Sequence, residues 1–176
     1  MMGHRKSNLL SGGLLFAAAL LLWGCSPPAP QPSGDAHPLV GKPAPAFRLP
    51  DLSGYETSLE QYRGKLVLVD FWATWCGPCR VSMPIVDKLQ SEHPDDLVLL
   101  AVNLQEDDDK VRRYVERQHL RSRVLLDREG RVGGAYGIRS IPMQILIDKT
   151  GMVRHVQVGL APGMAESFAA RIEELK

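Results

Sequence analysis

A run of seven residues, Leu66-Val67-Leu68-Val69-Asp70-Phe71-Trp72, leads into Cys76-Gly77-Pro78-Cys79 and then into a stretch of helical periodicity. The nearly unbroken β-branched and aromatic run is the pattern of a central strand covered on both faces. Beyond it, over residues 77–90, Val81, Ile85, Val86 and Leu89 recur at a spacing that lines one face of a helix. Pro84 lies inside that helix and is expected to kink it. The two thiols therefore fall on the first helical turn after a buried strand, close enough to form a small disulfide ring. Unpaired N-H groups and the positive end of the dipole favour a thiolate at Cys76, and the thiolate is the reactive form. Cys76 is expected to attack and Cys79, one turn deeper, to resolve. Pro78 suits a helix start, where its missing N-H has no helical partner to lose.

Two thiols so placed support reversible exchange. The Cys76 thiolate opens a substrate disulfide to give a mixed disulfide, and Cys79 displaces the substrate thiol, leaving Cys76 and Cys79 oxidised. Half of a zinc site and an inert structural disulfide are the other readings of a CxxC. The only other cysteine is Cys25, and His37, His93, His119 and His155 form no close pair, which leaves zinc short of ligands. No metal and no cofactor are expected.

The rest of the chain places this unit in a larger sheet. Residues 46–50 and 55–58 flank Asp51-Leu52-Ser53-Gly54, a hairpin signal near the start of the folded part at about Leu39. Residues 97–104 read as a second buried strand, 107–118 as a polar helix opened by three aspartates, and 124–126 as a short strand. Residues 144–147 and 152–158 flank Asp148-Lys149-Thr150-Gly151, a second hairpin, and 164–175 close the chain as a helix. Parallel units followed by an antiparallel pair imply an α/β fold, a mixed β-sheet flanked by helices with an N-terminal hairpin extension. At 176 residues there is room for one such core and an appendage.

The appendage is N-terminal. His4, Arg5 and Lys6 precede a charge-free apolar stretch of 15 residues from Leu9 to Trp23, too short for a comfortable membrane span and of the length of a signal-peptide core. Its end, Leu22-Trp23-Gly24-Cys25, resembles the bacterial lipobox, which implies cleavage before Cys25 and acylation of that residue; an uncleaved signal anchor is the alternative. Proline fills four of the nine positions from Ser26 to Gly34, a composition suited to a semi-rigid spacer. The expected organisation is a signal peptide over 1–24, a lipidated Cys25 with its tether over 25–38, and the folded domain over 39–176. The formal charge is +1, and without Arg5 and Lys6 it is 19 basic against 20 acidic residues. That balance, with no basic stripe, argues against a nucleic-acid partner.

With Phe71-Trp72-Ala73-Thr74-Trp75-Cys76-Gly77-Pro78-Cys79 in view, the chain resembles the thioredoxin superfamily over about residues 39 to 175. Gly41-Lys42-Pro43-Ala44-Pro45 with Phe47, the Val102-Asn103 strand end and Gly151 in a hairpin make it similar to TlpA/ResA-like proteins, the exported branch that reduces substrates of cytochrome c maturation. The resemblance implies a monomer outside the cytoplasm. Its partners would be protein thiol or disulfide substrates, apocytochrome c being one candidate, and a membrane electron donor.

Residue by residue, the resemblance implies that Asp70 serves proton transfer at Cys79, and burial of a carboxyl in an apolar strand agrees with a raised pKa. A solvent-facing aspartate at a strand edge is the other reading. Glu106 falls where the branch has an active-site glutamate, and equally reads as one of four acids decorating a helix start. Pro142 after Ile141 falls at the superfamily's cis-proline, beside which substrate backbone docks, and Trp75 is expected to shield the disulfide. Gly77-Pro78 matches the thioredoxin dipeptide and implies a reductant. A peroxiredoxin-like thiol peroxidase and a tethered chaperone with a structural disulfide are the competing functions.

Overall fold

The computed structural model describes residues 1–2 and 33–176, so the body of the expected signal segment, Cys25 and the start of the spacer lie outside the described residues. In chain order the strands and α-helices are β1 (Arg48–Pro50), β2 (Glu56–Ser58), β3 (Leu66–Trp72), α1 (Gly77–Glu92), β4 (Leu97–Leu104), α2 (Asp108–Gln118), β5 (Arg123–Asp127), α3 (Arg131–Ala135), β6 (Met143–Ile147), β7 (Val153–Val158) and α4 (Met164–Leu175). One sheet has the order β5-β4-β3-β6-β7, and β1 with β2 forms the separate N-terminal hairpin. β3, β4 and β5 are parallel, as the helical crossovers α1 and α2 between them require. β6 and β7 add antiparallel strands at the other side. The mixed sheet flanked by helices that the element order implied is present, and it is thioredoxin-like, as the resemblance implied.

Strand β3 is buried along its whole length, and alternation sends its side chains into two cores. Val67, Val69 and Phe71 pack under the hairpin and α3 with Phe47, Leu49 and Tyr136. Leu66 and Leu68 meet Val86 and Leu89 of α1 and Phe168 of α4 on the opposite face. Asp70 and Trp72 continue this second row, so the strand's one charged residue points to the face covered by the cysteine-bearing helix.

Two features differ from the expected pattern. Helix α1 buries Cys79, Ser82, Met83, Val86 and Leu89, whereas Val81, expected on the inner face, is 54% exposed. The helix is rotated so that the second cysteine, not the valine, points at the sheet. Helix α3 has no signal in the sequence because Gly133 and Gly134 are poor helix formers. Packing accounts for it: the Gly133 N-H donates to Asp127 Oδ2 at 2.8 Å, and a Cβ at Gly133 would stand 2.9 Å from Leu104 Cδ2.

Ordered packing also reaches back before Leu39, into residues expected to belong to the tether. Ser33 Oγ accepts from the Val158 N-H at 3.0 Å, Asp35 pairs with Arg171, and Gly41 N-H meets the Val153 carbonyl at 2.9 Å. Residues 33–44 thus lie along β7 and cover an edge that would otherwise present open hydrogen-bonding groups. Among the described residues no helix is long and apolar enough to cross a membrane.

Candidate active site

The end of β3 and the start of α1 bring the two sulfurs together. Cys76 is the N-cap of α1, with Pro78 in the first turn, and the two cysteines form a disulfide with Cα atoms 5.2 Å apart. The Cys79 N-H donates to Cys76 Sγ at 3.1 Å, so one unpaired amide of the helix start already points at the sulfur that would carry charge. Both cysteines are nearly covered, whereas Trp75 is 66% exposed. Opening the ring at Cys76 leaves Cys79 as the inner thiol.

Asp70 is fully buried beneath α1. Burial pushes its carboxyl up to about 7, the Gln144 amide partly opposes the rise, and Asp87 of α1 adds to it. Gln144 sits opposite Asp70 in the β3-β6 register, and its Nε2 donates to Asp70 Oδ1 at 2.7 Å. Oδ2 meets no donor among the described residues. A carboxyl balanced near neutrality can both take and return a proton.

Glu106 stands in a different environment. Its Oε2 accepts from the Thr74 N-H at 2.6 Å and from Asn103 Nδ2 at 2.9 Å. Its Oε1 accepts from Thr74 Oγ1 at 2.7 Å and pairs with Lys110 Nζ at 2.6 Å. Burial raises the carboxyl, but Lys110, Asn103 and Thr74 together outweigh it and hold Glu106 below the usual range. It is an ionised brace under the segment that leads into Cys76.

The Ile141-Pro142 bond is cis, as the resemblance implied. Ile141 packs against the cluster that contains Cys76 and Cys79, and beside it a groove of about 570 Å³ runs between Trp75, Ile138, Ile141 and Gln105. Cys76, Cys79, Trp75 and Ile141 are thus gathered at one end of the sheet, with Asp70 buried in β3 on the face that α1 covers and Glu106 bonded to Thr74.

The Redoxin family pattern matches residues 39–172. The chain belongs to the Redoxin family. Within that family it is similar to the thiol-disulfide oxidoreductase ResA of Geobacillus thermodenitrificans, 41% identical over 138 residues that cover 78% of each chain. The thioredoxin-like protein YneN of Bacillus subtilis is 38% identical over 122 residues, 68% of this chain and 71% of that one. Among solved structures, a thiol:disulfide interchange protein DsbE of Chlorobium tepidum superposes with a TM-score of 0.71 at 30% identity, over 83% of this chain and 99% of that one. The exposed lipoprotein thioredoxin Etrx1 of Streptococcus pneumoniae gives 0.66 at 29% identity, over 74% and 100%. This Redoxin-family chain is a thiol-disulfide oxidoreductase of the ResA/DsbE type.

Three residues of the site had no role assigned to them from the sequence: Gln144, Thr74 and Asn103. Gln144 interrupts the apolar run of β6 as Asp70 interrupts β3, and that shared anomaly was the available signal. Thr74 and Asn103, the partners of Glu106, carry no comparable mark.

Proposed function

We propose that this oxidoreductase is held to a membrane through acylated Cys25 and reduces protein disulfides outside the cytoplasm, in the manner required for cytochrome c maturation. The observations that support the chemistry are Cys76 as N-cap of α1 with Cys79 buried inside that helix, and Asp70 fully buried in β3 on the face that α1 covers. Reduced Cys76 attacks the substrate disulfide as a thiolate. Its sulfur bonds to one substrate sulfur, and the other leaves as a thiolate that takes a proton from solvent. Cys79 then gives its proton to Asp70 and attacks Cys76 Sγ, so the second substrate sulfur leaves as a thiolate that takes a proton from solvent, and the two electrons have passed from the Cys76-Cys79 pair to the substrate. Asp70 returns its proton when a membrane donor reduces the pair again.

Ile141 and Trp75 border the groove that receives the substrate backbone, and Glu106 keeps the Thr74 segment in place beneath Cys76. Support for the tether comes from Leu22-Trp23-Gly24-Cys25 and from the likeness to a protein described as an exposed lipoprotein.

Measuring the reduction potential of the Cys76-Cys79 pair tests the direction of the reaction. A value near about −270 mV, that of thioredoxin, supports a reductant, and one near about −120 mV, that of a strong oxidant, overturns it. Mass spectrometry of the protein extracted from membranes tests the anchor: the expected N-terminal residue is Cys25 carrying acyl chains. An intact N-terminus would remove the lipid tether.

A further inference from the structure

The buried pair Asp70-Gln144 has an arrangement that the reaction steps above do not use. Both side chains are fully covered, they face each other across β3 and β6, and a single contact of 2.7 Å joins them. Asp70 Oδ2 and Gln144 Oε1 have no partner among the described residues. A terminal amide carries a donor and an acceptor at nearly the same reach, and turning it about its last bond exchanges them. The one contact can therefore be N-H to carboxylate when Asp70 is ionised, or acid O-H to amide oxygen when Asp70 is protonated.

We propose that Gln144 is a positioning residue for proton transfer: it holds Asp70 in place in both protonation states and lets the carboxyl ionise in a site that otherwise opposes charge. This rests on the reading of Asp70 as proton acceptor for Cys79. Other neighbours do not substitute for Gln144. β4 offers Ala101 at the paired position, and the amide of Gln157, beside Gln144 on β7, is bonded to the Val158 and Gly159 carbonyls. The helices covering this face bring Asp87 from α1 as the charge that acts on Asp70, and α4 packs on the sheet with Met164, Phe168 and Ile172, all apolar. Without Gln144, Asp70 would have no hydrogen-bond donor among the described residues.

Cys79 S-H breaks, the proton goes to Asp70, the freed electron pair forms the Cys79-Cys76 bond, and the substrate sulfur leaves with the pair of the mixed disulfide. Gln144 exchanges no electrons; it changes which of its amide atoms faces the carboxyl.

Gln144→Met keeps the length and volume of the side chain and removes both hydrogen-bonding groups. The full chain, reduced, is reacted in single turnovers with a peptide disulfide that carries a fluorophore, from pH 5 to 9, and release of the second peptide thiol reports the resolving step. With the donor to the carboxylate gone, the midpoint of that step is expected to rise by about one pH unit. The rate of alkylation of Cys76 is expected to stay unchanged, and thermal melting confirms that the variant is folded. An unmoved midpoint in folded Gln144→Met overturns the inference. Asp70→Asn is measured alongside: if it too leaves the profile unmoved, the reading of Asp70 fails, whereas a shift in Asp70→Asn alone isolates the failure to Gln144.

Discussion

At the scale of single residues, Asp70 and Glu106 show how environment divides two carboxyls. Asp70 has one neutral donor and a raised pKa of about 7. Its folded value lies above its unfolded one, so its contribution to stability is fully present below about pH 4 and is lost as pH rises towards 7. Asp70→Asn removes the charge and keeps the shape. The variant is expected to match the parent near pH 4 and to exceed it by on the order of 2–4 kcal/mol above pH 7, read by urea denaturation at both ends, while turnover falls. Glu106 behaves oppositely because its oxygens receive four donor contacts. Glu106→Ala leaves the Thr74 amide and the Asn103 side chain unsatisfied. Urea denaturation is expected to show a loss of about 2–4 kcal/mol, and alkylation of Cys76 to slow as the Thr74 segment loosens. Faster alkylation with intact stability would contradict the bracing role.

At the scale of elements, the β6-β7 turn was legible because Asp148-Lys149-Thr150-Gly151 separates two apolar runs, and the reason it holds is local. Asp148 Oδ1 accepts from the Thr150 N-H at 2.8 Å, Thr150 Oγ1 at 2.7 Å and the Met152 N-H at 3.0 Å. Burial raises this carboxyl, yet its donors Thr150, Met152 and Arg154 prevail and hold it down to about 2. A depressed value means stability that is present above about pH 4 and lost as pH falls through about 2. Asp148→Ala is expected to cost about 2 kcal/mol at pH 7 and less near pH 2, as thermal melts at the two pH values would show. Helix α1 was legible in place but not in rotation. Val81, Ile85, Val86 and Leu89 suggested an inner face, but burial of Cys79 and Met83 against Trp72 and Ala101 turns Val81 outward. Helical periodicity identifies a face only where apolar residues outnumber functional ones, and the first turn of α1 is given over to the cysteines.

At the scale of the whole molecule, residues 33–44 decide where a tether would leave the domain. Ser33 bonds to Val158, Val158 pairs with Met143, and Met143 follows Pro142 at the disulfide end of the sheet. Seven residues separate Cys25 from Ser33, a reach of at most about 28 Å when extended. With Cys25 acylated, the disulfide end is expected to face the bilayer. In a Trp72→Phe background, energy transfer from Trp75 to a dye on lipid headgroups should then be larger than from the opposite end, probed by Lys149→Trp with Trp75→Phe added; equal transfer would refute the orientation. The sequence by itself determined the strand, the two cysteines and the helix that follows, and the mixed sheet, because these leave marks in local periodicity or in short motifs; the cis proline at Pro142 was implied only by the family resemblance. Only the tertiary structure decided that Gln144 faces Asp70 across 74 positions, that Thr74 binds Glu106 across 32, and that the chain before Leu39 lies along β7. Those pairings are made when strands distant in sequence become neighbours, and a contact between one polar residue and another far along the chain has no period to betray it.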